Sequence, residues 1–397
     1  MAGLLKGVKV IESAMLMTGD YTGQLLADEG ADVVKIESPG RGDYLRDFLG
    51  QFRPHKKGHS PAHLTVNRNK RSVTVNLKTS EGREIFWRML EDADVFLDGN
   101  TPGAVDRLGV GYEAQQQRKP DIIYAHVTGL GATGPYANVP THGQSMNAVA
   151  GTEPCRVDEQ GFAVRASEGG LGTGASGVVV GPLFLAYGVA AALFRREKSG
   201  QGAYIDVGCS DAIVSHAWYA AVNVLNADRI EPEDRVGGAS AKYGFYQTKD
   251  GKFVLTALIE RHFWENFSRA IGRLDFLEEG IGYHNKDAVV DWGPAGLRDE
   301  LRDVFASKTL DEWMTIAREH DCVITPANRA QDLTSDPHLR HRETIVTQHH
   351  PSAGDVLVAG HPIKVPGERY EVYQHAPALG EHTLEWLPKS LVFQASW

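Results

Sequence analysis

The feature of this chain that most constrains its fold is a strand–helix–strand pattern near the N-terminus. Val8–Glu12 and Ala31–Glu37 are short apolar runs, and between them Tyr21–Glu29 has apolar residues at helical spacing. Two strands joined by a helix within roughly thirty residues form a βαβ unit, whose crossover requires parallel strands. The same alternation continues through 72–77, 80–92, 93–97 and 121–127. We therefore predict an α/β domain with a parallel sheet.

The sequence after about residue 211 has a different pattern of predicted strands and helices. Two short runs, Tyr243–Gln247 and Lys252–Ala257, flank an Asp-Gly turn and predict a β-hairpin. Helical patterns follow at 263–271, 297–305 and 310–320, and short strand patterns close the chain at 345–348, 356–358 and 361–365. This mixture predicts a second, smaller α+β domain.

Charge and composition narrow the class of protein. The 397 residues have a formal net charge of −10, which argues against a nucleic-acid partner because such proteins present a basic surface. The three cysteines are too few for a disulfide framework, and we expect no metal site. The most apolar run, Val178–Phe194, is interrupted by Pro182 and Gly188 and favours a core helix over a membrane span. The N-terminus lacks the apolar stretch of a signal peptide, so we expect a cytoplasmic protein without a membrane partner.

Several motifs, in their order along the chain, carry a family resemblance. They are Gly30–Glu37 (GADVVKIE), Asn69–Ser72 (NKRS), Pro102–Ala104, Gly134–Tyr136, Arg196–Val207 and Leu379–Thr383. Together they resemble the class III CoA-transferases, the CaiB/BaiF group that includes formyl-CoA transferase, over almost the whole chain. The resemblance implies a Rossmann-like large domain built from residues 1–210 and 335–397, a smaller α+β domain at 225–330, and an interlocked dimer.

The same resemblance implies a chemistry and a set of ligand contacts. Enzymes of this kind move CoA between carboxylic acids, with CoA or acyl-CoA as substrate and no permanently bound cofactor. An aspartate attacks the thioester, since a carboxylate can store the acyl group as an anhydride. Asp20 lies in the turn expected to face CoA, where its charge opposes anion binding. By resemblance, contacts with CoA are expected at Met17, Asn69, Lys70, Arg71, Asn100 and Arg107.

The NKRS segment allows two interpretations. Asn69, Lys70 and Arg71 can hold a phosphate of CoA by charge-assisted hydrogen bonds. The same three residues equally fit a solvated turn between two strands.

The position of the catalytic aspartate is occupied by a different residue. Counting back from the Arg196–Gly200 motif, the family aspartate aligns with Val178, or with Gly177 after a shift of one residue, and neither residue can act as a nucleophile. Glu168 is a carboxylate upstream of this position, and His142 aligns with the histidine of the racemases in the family. His142 can serve as a general base, or its ring can instead be satisfied by loop backbone.

These observations leave three interpretations of function open. The first is a non-catalytic subunit of a heteromeric enzyme, of the succinyl-CoA:(R)-benzylsuccinate CoA-transferase type, in which a paralogous subunit supplies the aspartate. The second is an active homodimer that uses Glu168 or His142 for CoA transfer or racemisation. The third is a binding or scaffold protein without a role in CoA chemistry. The apolar segment Val178–Phe184 favours a hydrophobic or aromatic acid as substrate.

Overall fold

The structure is a computed structural model that describes residues 3–47, 59–166, 176–229, 240–294, 296–368 and 370–386. The chain forms two compact units, one made of residues 1–227 and 343–397 and the other of residues 228–342. The first unit therefore draws on both chain ends, as the resemblance implied. The domain limits 1–210, 225–330 and 335–397 stay predictions.

The larger unit is built on a six-stranded parallel sheet. Its strands are β1 (Lys9–Ser13), β2 (Asp32–Glu37), β3 (Lys70–Thr74), β4 (Val95–Asp98), β5 (Ile123–Thr128) and, after a separate hairpin of β6 (Cys155–Val157) and β7 (Ala163–Arg165), β8 (Ala203–Gly208). The strand order is β3-β2-β1-β4-β5-β8, so the chain extends from β1 first in one direction and then in the other. The predicted α/β fold with a parallel sheet is confirmed.

Helices cover both faces of this sheet. They are α1 (Leu16–Asp28), α2 (Pro61–Val66), α3 (Ser80–Glu91), α4 (Tyr112–Arg118), α5 (Gly143–Val149), α6 (Gly177–Ser199), α7 (Cys209–His216) and α8 (Trp218–Leu225). Alternate strand residues point to opposite faces. Val10 and Ile123 therefore pack in the core with α1 and α6, whereas Ile11 and Phe96 pack with α3. Burial on both faces explains why the strands are continuous apolar runs in the sequence.

Helix α6 contains the most apolar segment of the chain. Val180, Leu185 and Val189 pack in the core, while Tyr187 on the other face is 74% exposed. Within the described ranges α6 is the one helix long and apolar enough to cross a membrane, and a half-buried core helix of a soluble protein passes the same test. Its packing over the sheet agrees with the core helix predicted for this segment.

The smaller unit combines a short antiparallel sheet with helices. Its elements are β9 (Tyr243–Gln247), β10 (Phe253–Ala257), α9 (Arg261–Ala270), α10 (Leu297–Phe305), α11 (Leu310–Glu319), β11 (Ile324–Pro326) and α12 (Pro337–His341), with the strand order β11-β10-β9. Trp264, Phe267, Phe305 and Trp313 are fully buried in its core. The hairpin and the three helices predicted for this part of the chain are confirmed.

The C-terminal part of the chain belongs to the larger unit. It forms a hairpin of β12 (Ile345–His350) and β13 (Gly354–Ala359). The strand predicted at 361–365 is wrong, because the segment is irregular and Pro362 has no N–H group to donate to a neighbouring strand.

The C-terminal tail (residues 370–386) then lies along β3, an edge strand of the large sheet. His382 N donates to Ser72 O (2.9 Å), and Thr74 N donates to Thr383 Oγ1 (2.9 Å). The tail thereby covers an edge that would otherwise be open to pairing with another chain.

Candidate functional site

The strand order indicates where a ligand site is expected. In an open parallel sheet, ligands bind outside the carboxyl ends of the strands at the point where the order reverses, which here lies between β1 and β4. An open depression at this edge, which we call the edge depression, is lined by residues in the last positions of, or in the loops after, four neighbouring strands. They are Ser13, Ala14, Met15, Ile36, Glu37, Ser38, Gly42, Asp43, Val75, Asn76, Leu77, Lys78, Asn100 and Leu108.

Asn100 is fixed in the wall of the edge depression by other groups of the chain. Its backbone N and its side-chain Nδ2 each donate to Asp98 Oδ1 (2.9 Å), and Nδ2 also donates to Ser13 O (2.8 Å). Within the described part of the chain no donor reaches Asn100 Oδ1. The oxygen is therefore available to an N–H or O–H group of a ligand.

His126, in the second half of β5, contacts the backbone of Asn100. Its Nε2 lies 2.9 Å from the Asn100 carbonyl oxygen and its Nδ1 lies 3.1 Å from the Tyr204 hydroxyl. A carbonyl oxygen only accepts, so the proton sits on Nε2 and Tyr204 donates to Nδ1. Burial and the nearby Asp206 raise the pKa of Tyr204 to about 12, which keeps this hydroxyl a donor at neutral pH.

Exposed side chains around the edge depression add positive charge. Arg107 is exposed in a short 3-10 helix after β4 and precedes Leu108, and Lys78 is exposed four residues after the end of β3. Met17, in the first turn of α1, is 38% exposed. Our reasoning from the sequence missed Lys78, although its position directly after the predicted strand 72–77 was a usable signal. The two cations can attract the phosphate groups of a nucleotide-like ligand.

Asn69 and Arg71 lie at the other end of the sheet, where β3 begins. Asn69 Nδ2 donates to Asp28 Oδ1 (2.8 Å), and Asn69 Oδ1 accepts from Tyr373 N (3.0 Å). Arg71 Nη2 pairs with Asp32 Oδ2 (2.6 Å). A phosphate at either residue has to displace these partners. Their contact with CoA stays a prediction, and we leave both out of the proposed site.

A buried ionic cluster adjoins the edge depression; it consists of Glu12, Asp20, Lys35, Asp43 and Lys70, each at most 1% exposed. Lys35 Nζ lies 3.0 Å from Glu12 Oε1 and 3.0 Å from Asp43 Oδ2, and it also contacts Asp20. Lys70 Nζ lies 2.8 Å from Glu12 Oε2 and donates to Asp20 O (2.7 Å). Lys70 is therefore fully engaged inside the fold, and its phosphate contact also stays a prediction.

The charge of Asp20 has a different role from the one expected. Burial raises the pKa of Asp20 well above its ordinary value, while Lys35 acts in the opposite direction. A proton kept by Asp20 leaves two lysines balanced by two carboxylates in the cluster. The expectation that Asp20 opposes anion binding is wrong, because its side chain is buried and neutralised by these neighbours.

Val178 and His142 lie at two neighbouring helix starts. Val178 is in the first turn of α6, His142 directly precedes α5, and a β-carbon placed on Gly143 would lie 3.7 Å from Val178 Cγ1. His142 is exposed, and its backbone N donates to Ser145 Oγ (3.3 Å). The first turn of α6 contains no acidic residue, and Glu168 lies outside the described residues. This geometry offers a base and a helix N-terminus that favours negative charge, without a nucleophilic carboxylate in that turn.

Comparison with known proteins decides the family. The profile of CoA-transferase family III matches residues 5–383. The chain belongs to this family. The (R)-2-hydroxy-4-methylpentanoate CoA-transferase of Clostridioides difficile is 28% identical over 390 residues, which cover 98% of this chain and 95% of that protein. The succinyl-CoA–L-malate CoA-transferase beta subunit of Chloroflexus aurantiacus is also 28% identical, with 98% and 94% covered.

A solved structure shows the same fold. The crystal structure of Rv3272 from Mycobacterium tuberculosis is 25% identical, has a TM-score of 0.73, and covers 98% of this chain and 99% of that one. The predicted resemblance to class III CoA-transferases is thus confirmed. Enzymes of this family transfer CoA between carboxylic acids and use CoA thioesters as substrates.

Proposed function

We propose that this chain is a subunit of a heteromeric class III CoA-transferase and that a paralogous chain supplies the nucleophilic aspartate. The observation that carries the proposal is Val178, which lies in the first turn of α6, a turn without an acidic residue, and which by the resemblance aligns with the family aspartate. A valine cannot form the acyl anhydride on which CoA transfer depends. The Chloroflexus relative is itself named as the beta subunit of a CoA-transferase, which supports a heteromeric assembly.

The edge depression supports retention of CoA binding by this chain. Asn100 Oδ1 is free to accept a hydrogen bond, and Lys78 and Arg107 provide positive charge near the site. Met17 lies in the neighbouring turn, where a ligand can approach the N-terminus of α1. We therefore assign the CoA contacts of this chain to Met17, Lys78, Asn100 and Arg107.

The decisive experiment measures CoA transfer by the chain alone and together with a paralogue that contains the aspartate. We expect the chain alone to be inactive and the pair to be active. Transfer by the chain alone at the rate of the pair contradicts the proposal. Val178→Asp should create activity in the chain alone, whereas Val179→Asp, one residue further along the helix and 42% exposed, is the matched control and should not.

Proton abstraction by His142 is a second candidate function. It is favoured by the position of His142, which is exposed at the start of α5 and adjacent to the first turn of α6. Such a histidine can remove the α-proton of an acyl-CoA thioester. Incubation of a chiral 2-methylacyl-CoA in deuterated water should then give α-deuteration that His142→Ala abolishes. Unchanged deuteration in that variant excludes His142 as the base.

We infer a hydrophobic acid as the substrate class. Val179 and Leu183 are partly exposed on α6 close to the expected reaction site, and such side chains favour a substrate with an apolar tail. The relative from Clostridioides difficile acts on a branched aliphatic hydroxy acid by name. Competition between branched-chain, aromatic and dicarboxylic acids for the active pair tests this assignment, and a preference for dicarboxylic acids contradicts it.

A further inference from the structure

The turn between β1 and α1 contains a backbone conformation that is unfavourable for its residue. Leu16, the first residue of α1, has a φ of 64°, and among the four described non-glycine residues with positive φ it is the one with an apolar side chain. L-residues with a β-carbon disfavour this left-handed region. The conformation persists only where the surrounding structure holds it.

Two members of the buried ionic cluster hold this turn. The Asp43 carboxylate accepts from the Leu16 backbone N with both oxygens (3.2 Å and 3.1 Å). Lys35 Nζ donates to the carbonyl oxygen of Ala14 (2.8 Å). The carbonyl oxygen before Met15 and the backbone N–H after it are thus both hydrogen-bonded to buried charged side chains.

The cluster also fixes Asp43 itself. Its Oδ2 lies 3.0 Å from Lys35 Nζ, and its Oδ1 accepts from Leu45 N (2.8 Å). Burial alone would raise the pKa of Asp43, but the field of Lys35 and the hydrogen bonds lower it well below its ordinary value. The carboxylate is therefore ionised when it accepts from Leu16 N.

The turn held in this way faces the candidate ligand site. Ala14 and Met15 line the edge depression, and Met17 follows in the first turn of α1. Helix α1 has no side-chain hydrogen bond at its N-cap, so the N–H groups of its first turn that follow Leu16 are available to a ligand. The direction of these N–H groups depends on the conformation of Leu16.

We propose that Asp43 is a positioning residue for CoA binding, because it holds Leu16 in the left-handed conformation that aims the β1–α1 turn at the edge depression. This inference rests on the proposed function, since it takes CoA as the ligand of that depression. Asp43 lines the edge depression, but its carboxylate oxygens are occupied by Leu16 N, Leu45 N and Lys35 Nζ. It acts through Leu16, and a residue that tolerates positive φ at position 16 makes Asp43 less necessary.

The test is a double-mutant cycle on CoA affinity, measured by calorimetry with the full chain and, where needed, its paralogue. Asp43→Asn should weaken CoA binding about tenfold, or about 1.4 kcal/mol, because the amide NH2 group has to face either Lys35 or the backbone N–H groups. In a Leu16→Gly background the same change should cost no more than about threefold, since glycine adopts the left-handed region readily. The Asp43 charge is one of the causes that raise the pKa of Asp20, so its removal lets Asp20 ionise and, together with Glu12, balance Lys35 and Lys70, which favours folding of the variant.

The outcomes separate this inference from the proposed function. Equal losses of affinity in the two backgrounds overturn the positioning role, because Asp43 then acts independently of the conformation at position 16. Absence of CoA binding by the wild-type chain, alone and in the complex, overturns the proposed function instead. Should Asp43→Asn not fold, hydrogen exchange of the wild-type chain decides. A protected Leu16 amide supports the inference, and an amide that exchanges as fast as that of an exposed loop overturns it.

Discussion

Replacing Glu37 with glutamine tests whether an ionised carboxylate holds the end of β2. The Glu37 side chain is 2% exposed. It accepts hydrogen bonds from Arg46 Nε (2.9 Å), Arg46 Nη2 (2.7 Å), Asp43 N (2.9 Å) and Ser72 Oγ (2.5 Å). An amide of the same shape has to turn its NH2 group toward at least one of these donors. The variant therefore loses acceptors at a site that water does not reach.

The magnitude follows from the pKa of this carboxyl group. Burial would raise the pKa of Glu37, but the hydrogen bonds from Arg46 and the field of Lys35 lower it from 4.5 to about 2. A difference of roughly 2.5 pKa units corresponds to about 3 kcal/mol of stability at neutral pH. Because the folded-state pKa is the lower one, this stability is present above pH 4.5 and is lost as the pH falls toward 2.

Urea unfolding at two pH values is the assay. At pH 7 we expect Glu37→Gln to be less stable than wild type by about 3 kcal/mol, and by about pH 3.5 we expect the difference to shrink by about 1 kcal/mol. Burial and Arg46 lower the pKa of His63 to about 3, and Glu37 acts in the opposite direction. Glu37→Gln therefore lowers this pKa further, but at pH 3.5 the folded His63 is mostly unprotonated in both proteins, so its effect on the difference is small. Glu84→Gln, at an exposed pair with Arg88, is the matched control. A difference that is the same at both pH values refutes the reasoning.

Two further predictions concern charges in different surroundings. Lys78→Ala should weaken CoA binding about fivefold in low salt and less in high salt, because salt screens the attraction between an exposed charge and the ligand. Calorimetry at two salt concentrations measures this difference, with Lys6→Ala as the control. Lys242→Met should destabilise the chain by about 3 kcal/mol in urea unfolding, because Lys242 is fully buried and its Nζ lies 2.7 Å from Asp291 Oδ1. Lys252→Met removes a lysine that is 55% exposed and should have almost no effect.

The sheet and the smaller unit could be predicted because their signals are local. The apolar runs of β1, β2 and β5 are buried on both faces, which gives continuous hydrophobic stretches that a short window detects. The hairpin of β9 and β10 has its turn residues in sequence between its strands. The strand predicted at 361–365 failed because Pro362 inside the segment and Pro366 directly after it have no N–H group for ladder hydrogen bonds.

The charged residues of the candidate site could not be predicted in the same way. Lys35 meets Asp20 and Asp43 only through tertiary folding, and no periodicity reports that a lysine is buried among carboxylates. The NKRS motif identified the family correctly, but Lys70 supports the fold from inside the ionic cluster. The resemblance to the family singled out Val178 and His142 as site residues. That the two lie close together in space could be seen only in the structure.

The position of the C-terminal tail on β3 has a consequence for synthesis of the chain. Thr74 and Thr383, which are hydrogen-bonded at this edge, are 309 residues apart. At the usual speed of translation this separation corresponds to roughly 15 to 60 s during which β3 has left the ribosome and its covering segment does not yet exist. In that interval the nascent sheet has an unprotected edge that can pair with another nascent chain. We expect release factors, chaperones and slow codons to affect the yield of this protein more than its equilibrium stability does.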